Sequence, residues 1–462
     1  MHKAGGKAMS KDCIAIILAA GEGKRMKSKT PKALHMAAGK PLAGWVVDAA
    51  REATGTAPVL VIGHGAEQVR ERFGGSVRYA VQERQLGSGH AVMAAREYLA
   101  GQGYAIVAAG DMPLIRPETL AAIARRAMEK KLGACLLTAT VDDPTGYGRV
   151  IHEGGGVRIV EHRDATEEQR AVKEVNLSVY CFHIPALIKA LDNLKPDNDQ
   201  GEYYLTDCVH DIVRQGYGVE TVPCDDPDEY IGVNDRVQLA QAAKLLRRRI
   251  NTALMREGVT LIDPDAVYID ATVTVGADTV IYPGVTLEGG CVIGSGVTLY
   301  PGSRIVSSRI GDGTKVQNSV LLDAEVGENS TIGPYAYLRP GTVVGSGCRV
   351  GDFVEVKNSV IHDGAKVSHL SYIGDGEIGE KTNIGCGVVF VNYDGQKKYK
   401  TTVGKNAFVG CNVNLVAPVT VGDGAYVAAG STVTEDVEPD ALCIARSRQT
   451  VKPGWAKKRR GE

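Results

Sequence analysis

Three clusters in this 462-residue chain combine residue types and spacings that can do chemistry. The first is Leu18-Ala19-Ala20-Gly21-Glu22-Gly23-Lys24-Arg25-Met26, at the end of an apolar run. A glycine turn closing a strand lets backbone N–H groups approach a phosphate, and Lys24, Arg25 and the following Pro31-Lys32 add positive charge. Two glycines alone would read equally well as a strand-to-helix turn, but the cations shift the balance toward an anion. Neither common fingerprint is present: no Ser or Thr follows the Lys, and Met26 stands where a third dinucleotide-type glycine belongs. In the second cluster, Gln85-Leu86-Gly87-Ser88-Gly89-His90-Ala91 opens a helix with a small-residue loop suited to a base and ribose. Gly110-Asp111 then ends another apolar run, where a carboxylate could hold Mg²⁺ against a triphosphate. Asn234 offers a second oxygen, with a simple turn as its plainer interpretation.

The third cluster lies in the second half. Tyr337-Leu338-Arg339-Pro340, Glu355-Val356-Lys357 and Ser368-His369-Leu370-Ser371-Tyr372 are polar interruptions about one coil apart, so they are expected to stack on one face and converge. A neutral imidazole such as His369 is poised to act as a general base near pH 7. A cationic break over residues 391–401, with Asn392, Tyr393 and Lys398, is expected to be a loop ejected from a rigid scaffold, where function concentrates.

The elements that must position these groups are legible in the apolar pattern. Residues 12–235 alternate short apolar runs (13–20, 58–63, 77–82, 104–110, 133–140) with amphipathic stretches (42–53, 89–99, 117–130). That alternation predicts a Rossmann-like α/β domain with a mainly parallel sheet and ligands at the strand carboxyl ends. Residues 236–258 read as one linker helix ending at Gly258. From 259 to 440 apolar residues recur every sixth position, as in Ile269, Val275, Ile281, Leu287, Ile293 and Leu299, often followed by Gly. The phase slips and restarts at Ile310, Val316 and Leu322, then at Val326. This period is that of a parallel β-helix of about nine coils, three repeats to a coil. Three flat sides invite pairing about a threefold axis, so a homotrimer is expected. Residues 1–11 read as a disordered leader and 441–462 as a tail with a basic end, Lys457-Lys458-Arg459-Arg460.

Composition narrows the function classes. With 53 basic against 54 acidic residues, the chain lacks the electrostatic footprint of a nucleic-acid or membrane-surface protein. No apolar stretch approaches a membrane span, and no signal-peptide pattern is seen. Ten cysteines without CxxC pairs read as reduced thiols of a cytoplasmic protein.

The strings LAAGEGKRM (18–26), PK (31–32), QLGSGHA (85–91), GDMPL (110–114), DPTGYGR (143–149) and GVNDR (232–236) resemble the sugar-nucleotidyltransferase family. With the hexapeptide half, residues 12–455 resemble in order the bifunctional N-acetylglucosamine-1-phosphate uridylyltransferase/glucosamine-1-phosphate acetyltransferases. The resemblance implies a left-handed β-helix, cytoplasmic location and a place in cell-wall biogenesis. It implies UTP, acetyl-CoA and glucosamine-1-phosphate as substrates, and Mg²⁺ held by Asp111 and Asn234. Gly21, Gln82, Gly87 and Ser88, with Leu18, Ala19 and Ala20, would bind uridine; Gly148, Glu161 and Asn176 the acetylated sugar; Arg25 and Lys32 the phosphates. In the second half His369 would be the base, with Arg339, Lys357, Tyr372, Asn383 and Lys398 on the acceptor sugar phosphate. Cys386, Asn392, Tyr393, Cys411, Ala429 and Arg446 would border acetyl-CoA. Three departures stand out: Leu177-Ser178 replaces an expected Thr-Gly, Cys386 and Val388 fall in an expected Gly-Ala-Gly-Thr, and Cys411 replaces a Ser. Both cysteines are expected to be small packing residues; if exposed, they would react with oxidants or alkylating agents. Two rivals remain: a monofunctional nucleotidyltransferase with a structural prism, and a non-catalytic trimeric scaffold that binds nucleotide sugars.

Overall fold

The computed structural model describes residues 13–154 and 156–462, so the expected leader lies outside the described residues. The chain divides into two compact units, residues 1–246 and 247–462.

The first unit is built on nine strands: β1 (Cys13–Leu18), β2 (Val59–Ile62), β3 (Arg78–Val81), β4 (Tyr104–Ala109), β5 (Ala134–Thr140), β6 (Arg149–Glu153), β7 (Gly156–Val160), β8 (Glu174–His183) and β9 (Val219–Pro223). Their order across the sheet is β9-β5-β8-β4-β1-β2-β3, with β6 and β7 as a hairpin attached to β8. Helices cover both faces, among them α1 (Leu42–Thr54), α2 (Ser88–Ala94), α3 (Pro117–Glu129), α4 (Ile184–Asn193) and α5 (Leu205–Arg214). Ala15, Ile16 and Ile17 of β1 have no exposed surface, as expected of a central parallel strand buried on both faces. The parallel expectation needs one amendment: β8 runs antiparallel to both β4 and β5. Its run passes directly into the amphipathic α4, with no loop between them to mark the strand's end in the strand–helix alternation.

Register places the site. β1 pairs with β4 residue by residue from Cys13↔Tyr104 to Leu18↔Ala109, so both strands end level. Ala19-Ala20-Gly21 therefore emerges beside Gly110-Asp111, and Gln82 follows the end of β3 two strands away. Nucleotides bind at such carboxyl edges of open α/β sheets.

One helix, α6 (Arg236–Arg256), spans the division between units. Its Ala242 and Leu246 pack with Leu42, Leu114 and Val233, whereas Leu254 belongs to the interior of the second unit.

The second unit is a prism of three parallel sheets with eleven, ten and nine strands. The first face includes Arg349–Asp352, Lys366–His369, Asn383–Ile384 and Phe408–Val409; the second includes Tyr337–Leu338, Glu355–Lys357 and Tyr372–Gly374; the third includes Val360–Ile361 and Gly376–Ile378. The aliphatic residue of each hexapeptide points inward, and Ile281, Leu299, Val316, Ile332 and Val350 stack rung upon rung. Leu322 is a correction: Leu321 is the fully buried residue of that strand, and Leu322 is half-buried. The coil is shortened there, and the chain keeps its inward face by advancing five residues instead of six, from Val316 to Leu321. Ile384 pairs with Val409, 25 residues on, while Val367 to Ile384 takes only 17. The excess is the ejected loop.

Candidate active sites

In the first unit the ends of β1, β3 and β7 surround a cleft of about 370 Å³. Leu18, Ala20, Gly21, Gln82, Gly87, Ser88 and Glu161 line it. Gln82 is buried, its Nε2 donating to the Gly87 carbonyl at 3.0 Å and lying 3.0 Å from His90 Nδ1. Ser88 Oγ accepts from the Leu205 N–H at 3.0 Å, tying the loop to α5. Gly87 has φ +109°, and a Cβ there would lie 2.6 Å from the Tyr203 carbonyl oxygen, so only glycine lets the loop pass so close.

An adjoining cleft of about 90 Å³ is lined by Leu18, Ala19, Gly21, Lys32 and Asp111. Here Lys32 Nζ donates both to Asp111 Oδ2 and, at 2.7 Å, to Asn234 Oδ1. One cation thus sits on the two oxygens expected to hold a metal. The Val233 N–H donates to the Asp111 carbonyl at 2.8 Å, bringing the distant Asn234 segment to the sheet edge. Gly23, at φ +65°, leaves no room for a Cβ against Lys32, so the glycine turn and this lysine pack directly. Among the described residues no three His, Cys, Asp or Glu side chains form a metal cluster. A divalent cation would therefore complete its shell with phosphate oxygens and water, a donor set that suits Mg²⁺.

The sugar-side residues are only partly gathered. Glu161 faces the larger cleft, accepts from Thr206 Oγ1 at 3.2 Å, and is pushed above the usual carboxylate range by burial. A Cβ on Gly148 would lie 3.5 Å from the Glu161 carboxylate, so these two are neighbours. Asn176 is buried and donates its amide to the Tyr180 hydroxyl at 2.7 Å, while Tyr180 and Ser178 face the cleft. Arg25 is exposed on its turn and does not line either cleft. The motifs missed Tyr180, Thr206 and Glu202, because they come from β8 and the entry to α5, which carry no phosphate signature. Ser178 holds φ +55° where the β8 ladder shifts register, a conformation that explains why glycine is expected there.

In the prism the expected single stack divides between two faces. Arg339, Lys357 and Tyr372 belong to the second face, whereas His369 and Asn383 belong to the first. A coil here takes about 17 residues, so the twelve from Lys357 to His369 make two thirds of a turn and not a whole one. His369 nevertheless ends its strand at the corner leading to Tyr372, three residues on. Its Nδ1 lies 2.7 Å from Asp352 Oδ1. Arg339 donates to Glu355 at 2.9 Å, and that bond raises its pKa further.

Lys357 donates to both oxygens of Asp375, at 2.9 and 2.8 Å, which raises its pKa. Asp375 also accepts from Asn358 and Asn392. Lys398 reaches the same place from the ejected loop, where the Lys357 ammonium holds its pKa down. The loop is compact: Tyr399 N–H donates to the Asn392 carbonyl at 2.9 Å, and Asp394 caps the N–H groups of Gln396 and Lys397. Tyr393 is exposed at its edge. The motifs give no role to Asp352 and Asp375 and name Glu355 only within its cluster; each lies about one coil from the cation or imidazole it binds, a separation that the slipping six-residue phase leaves undefined.

Cys386 and Cys411 occupy corresponding positions on successive coils, since Asn412 N–H donates to the Cys386 carbonyl at 2.7 Å. Ala429 comes one coil later, and a Cβ on Gly430 would lie 3.8 Å from Arg446 Cδ. The cysteines are not the buried packing residues expected. Cys411 is exposed and Cys386 half-buried, because both fall just beyond the strand ends and not on the inward rung. Val388 is fully buried.

Comparison with known proteins agrees with this division. Residues 15–176 match the MobA-like NTP transferase domain, and residues 272–307, 323–358 and 400–435 match the bacterial transferase hexapeptide (six repeats). The second match identifies the prism as the left-handed β-helix. The bifunctional protein GlmU of Acetivibrio thermocellus is 50% identical over 452 residues, covering 97% of this chain and 98% of its own. GlmU of Caldanaerobacter subterraneus subsp. tengcongensis is 51% identical over 97% of this chain and 98% of its own. GlmU of Clostridium botulinum is 51% identical over 96% and 98%. A putative glucose-1-phosphate thymidylyltransferase structure from Bacillus anthracis aligns with 50% of this chain and 94% of its own, at 21% identity and a TM-score of 0.43, too remote to carry an argument.

Proposed function

This chain belongs to the family of the bifunctional protein GlmU, and on that footing we propose how its two units divide the work. The protein makes UDP-N-acetylglucosamine by acetyl transfer to glucosamine-1-phosphate and uridylyl transfer from UTP. The observation that carries the residue assignment is the meeting of Lys32, Asp111 and Asn234 at a small cleft that adjoins, and shares Leu18 and Gly21 with, the one lined by Gln82, Gly87 and Ser88.

Uridine would lie along Leu18, Ala20, Gln82 and Gly87, and the sugar toward Glu161, Gly148 and Asn176. Uridylyl transfer in this family calls for a divalent cation; Asp111 and Asn234 would hold it as Mg²⁺, which supplies charge neutralisation at the phosphates. A phosphate oxygen of N-acetylglucosamine-1-phosphate attacks the α-phosphorus of UTP in line, and pyrophosphate leaves. The nucleophile is already an anion, so no base is needed. Lys32 and Arg25 would offset charge on the triphosphate, Arg25 from an exposed position that substrate must draw inward.

In the prism, Arg339, Lys357 and Lys398 would clamp the acceptor phosphate, with Tyr372 and Asn383 at the sugar. His369 would take the proton of the amine as its nitrogen attacks the thioester carbonyl, and CoA leaves as the thiol. Asn392, Tyr393, Cys386, Cys411, Ala429 and Arg446 would border acetyl-CoA.

We infer a homotrimer. Tyr335, Phe353 and Leu370 form an exposed apolar column on the corner beside His369, all three with positive φ, and the first two rings stack at 5.5 Å. Threefold pairing would cover such a column. Light scattering giving a monomer mass would count against it. No helix among the described residues is long and apolar enough to cross a membrane; a cytoplasmic location is the reading that suits these substrates.

The decisive experiment incubates the purified chain with acetyl-CoA and glucosamine-1-phosphate and follows the sugar phosphate by mass spectrometry. Asp111→Ala should abolish uridylyl transfer and spare acetylation, and His369→Ala should do the reverse. Loss of both activities from either change would refute independent sites.

A further inference from the structure

His369 Nδ1 lies 2.7 Å from Asp352 Oδ1, on the side of the ring opposite the nitrogen that would take the proton of the amine. This pairing is built into the coil geometry. Asp352 and His369 are Cα partners at the ends of successive strands on the first face, so carboxylate and ring leave the prism side by side. The backbone reinforces the pairing: the Leu370 N–H donates to the Asp352 carbonyl at 2.9 Å, and Ser371 Oγ donates to the His369 carbonyl at 2.8 Å. Both bonds hold the one peptide unit between His369 and Leu370, and so fix the backbone from which the ring projects. Arg349 and Lys366 are Cα partners on the same two strands, and the Arg349 charge also acts on the Asp352 carboxylate. The Asp352 carboxyl is held below the usual carboxylate range, chiefly by the hydrogen bond to His369.

An ionised carboxylate only accepts hydrogen bonds, so its partner Nδ1 must carry the proton. That leaves the lone pair on Nε2, the nitrogen facing away from Asp352. A base must present its lone pair to the incoming ammonium, and a carboxylate behind a histidine secures that tautomer and orientation. We propose that Asp352 is the positioning residue for the acetyl-transfer base: it holds His369 as the Nδ1–H tautomer with Nε2 directed at the acceptor amine. This rests on His369 being the base.

A mere surface ion pair would contribute little, since both side chains are about half exposed, at 54% and 40%. That exposure makes the test clean, because substitution should not unfold the coil. Asp352→Ala is expected to lower kcat for acetyl transfer about tenfold, with KM for glucosamine-1-phosphate and acetyl-CoA and the uridylyl activity of the same sample unchanged. Asp352→Glu, which keeps a carboxylate able only to accept from Nδ1–H, should recover part of the loss, whereas Asp352→Asn, whose amide can donate to Nδ1 and favour the Nε2–H tautomer, should not. In ¹⁵N spectra of the neutral ring, His369 of the unaltered protein should show a protonated Nδ1, and Asp352→Ala should shift toward protonated Nε2. A kcat within twofold of the unaltered protein in Asp352→Ala, or an unchanged tautomer, would overturn the role of Asp352. If His369→Ala keeps acetyl transfer, the assignment of the base fails instead, and the two failures are distinguishable.

Discussion

Replacing Asp375 with Ala removes the acceptor on which Lys357, Asn358 and Asn392 converge. The ion pair is largely enclosed, with side-chain exposures of 18% for Lys357 and 13% for Asp375. Hydrogen bonds to a charged group contribute about 1.5–3 kcal/mol each, but these share one carboxylate and do not add. Removing one partner of a buried pair costs about 3–5 kcal/mol. The residual exposure of both groups lowers that to about 2–3 kcal/mol, while Lys398 beside Lys357 adds an uncompensated like charge. For a unit spanning residues 247–462, each kcal/mol moves the melting temperature by about 2–4 °C, so the prism transition should fall by about 5–10 °C. Asp375→Asn, which keeps the shape without the charge, should lose about half as much. Calorimetry reads both transitions, and uridylyl activity at 25 °C checks that the other unit is intact.

The same pair sets a pH signature. Burial alone would raise the Asp375 carboxyl, but hydrogen bonds from Asn358, Lys357 and Asn392 outweigh it and leave the folded pKa below the usual value. Its stabilisation is therefore present above the unfolded carboxylate pKa of about 3.9 and lost as pH falls through the lower folded value. Below about pH 4 the unaltered prism should lose stability more steeply than Asp375→Asn. A prism transition in Asp375→Ala within one degree of the unaltered protein would mean that water already screens the pair, contrary to its enclosure.

Iodoacetamide should label Cys411 before any other thiol, with half-buried Cys386 slower, and saturating acetyl-CoA should slow both; labelling that acetyl-CoA leaves unchanged in peptide mapping would place them outside the cleft. Ser178→Gly should raise the melting temperature of the first unit, since a side chain at φ +55° stores about 1 kcal/mol. A lower melting temperature there would show that the Ser178 side chain stabilises more than its backbone strain costs. Leu321→Ala should cost about 2–5 kcal/mol and Leu322→Ala less than about 1, reversing the order that an unbroken period of six would give.

Much of this protein could be read from its residues. The hexapeptide period announces a prism because an aliphatic side chain every sixth position can be buried only by coiling the chain on itself. The glycine turn, QLGSGHA and GDMPL reach the same sheet edge because each follows an apolar run that must be a strand. Lys32 and Asp111 were legible as charges seeking phosphate and metal, yet their joint bond with Asn234 was not, since 202 residues separate Lys32 from Asn234. Sequence patterning reports which face a residue occupies and not which coil or strand lies beside it.

The rest depended on register in three dimensions. One coil of about 17 residues brings Asp352 behind His369 and Asp375 beneath Asn392, pairings that a six-residue period leaves undefined once its phase slips. Five residues between Val316 and Leu321 decide which leucine is core, and two positions beyond a strand end decide that Cys386 and Cys411 meet solvent. Local composition therefore determined the two architectures and the chemistry within reach of each. Only the tertiary structure determined the partners, because hydrogen bonds depend on ångström distances between segments whose separation along the chain carries no such information.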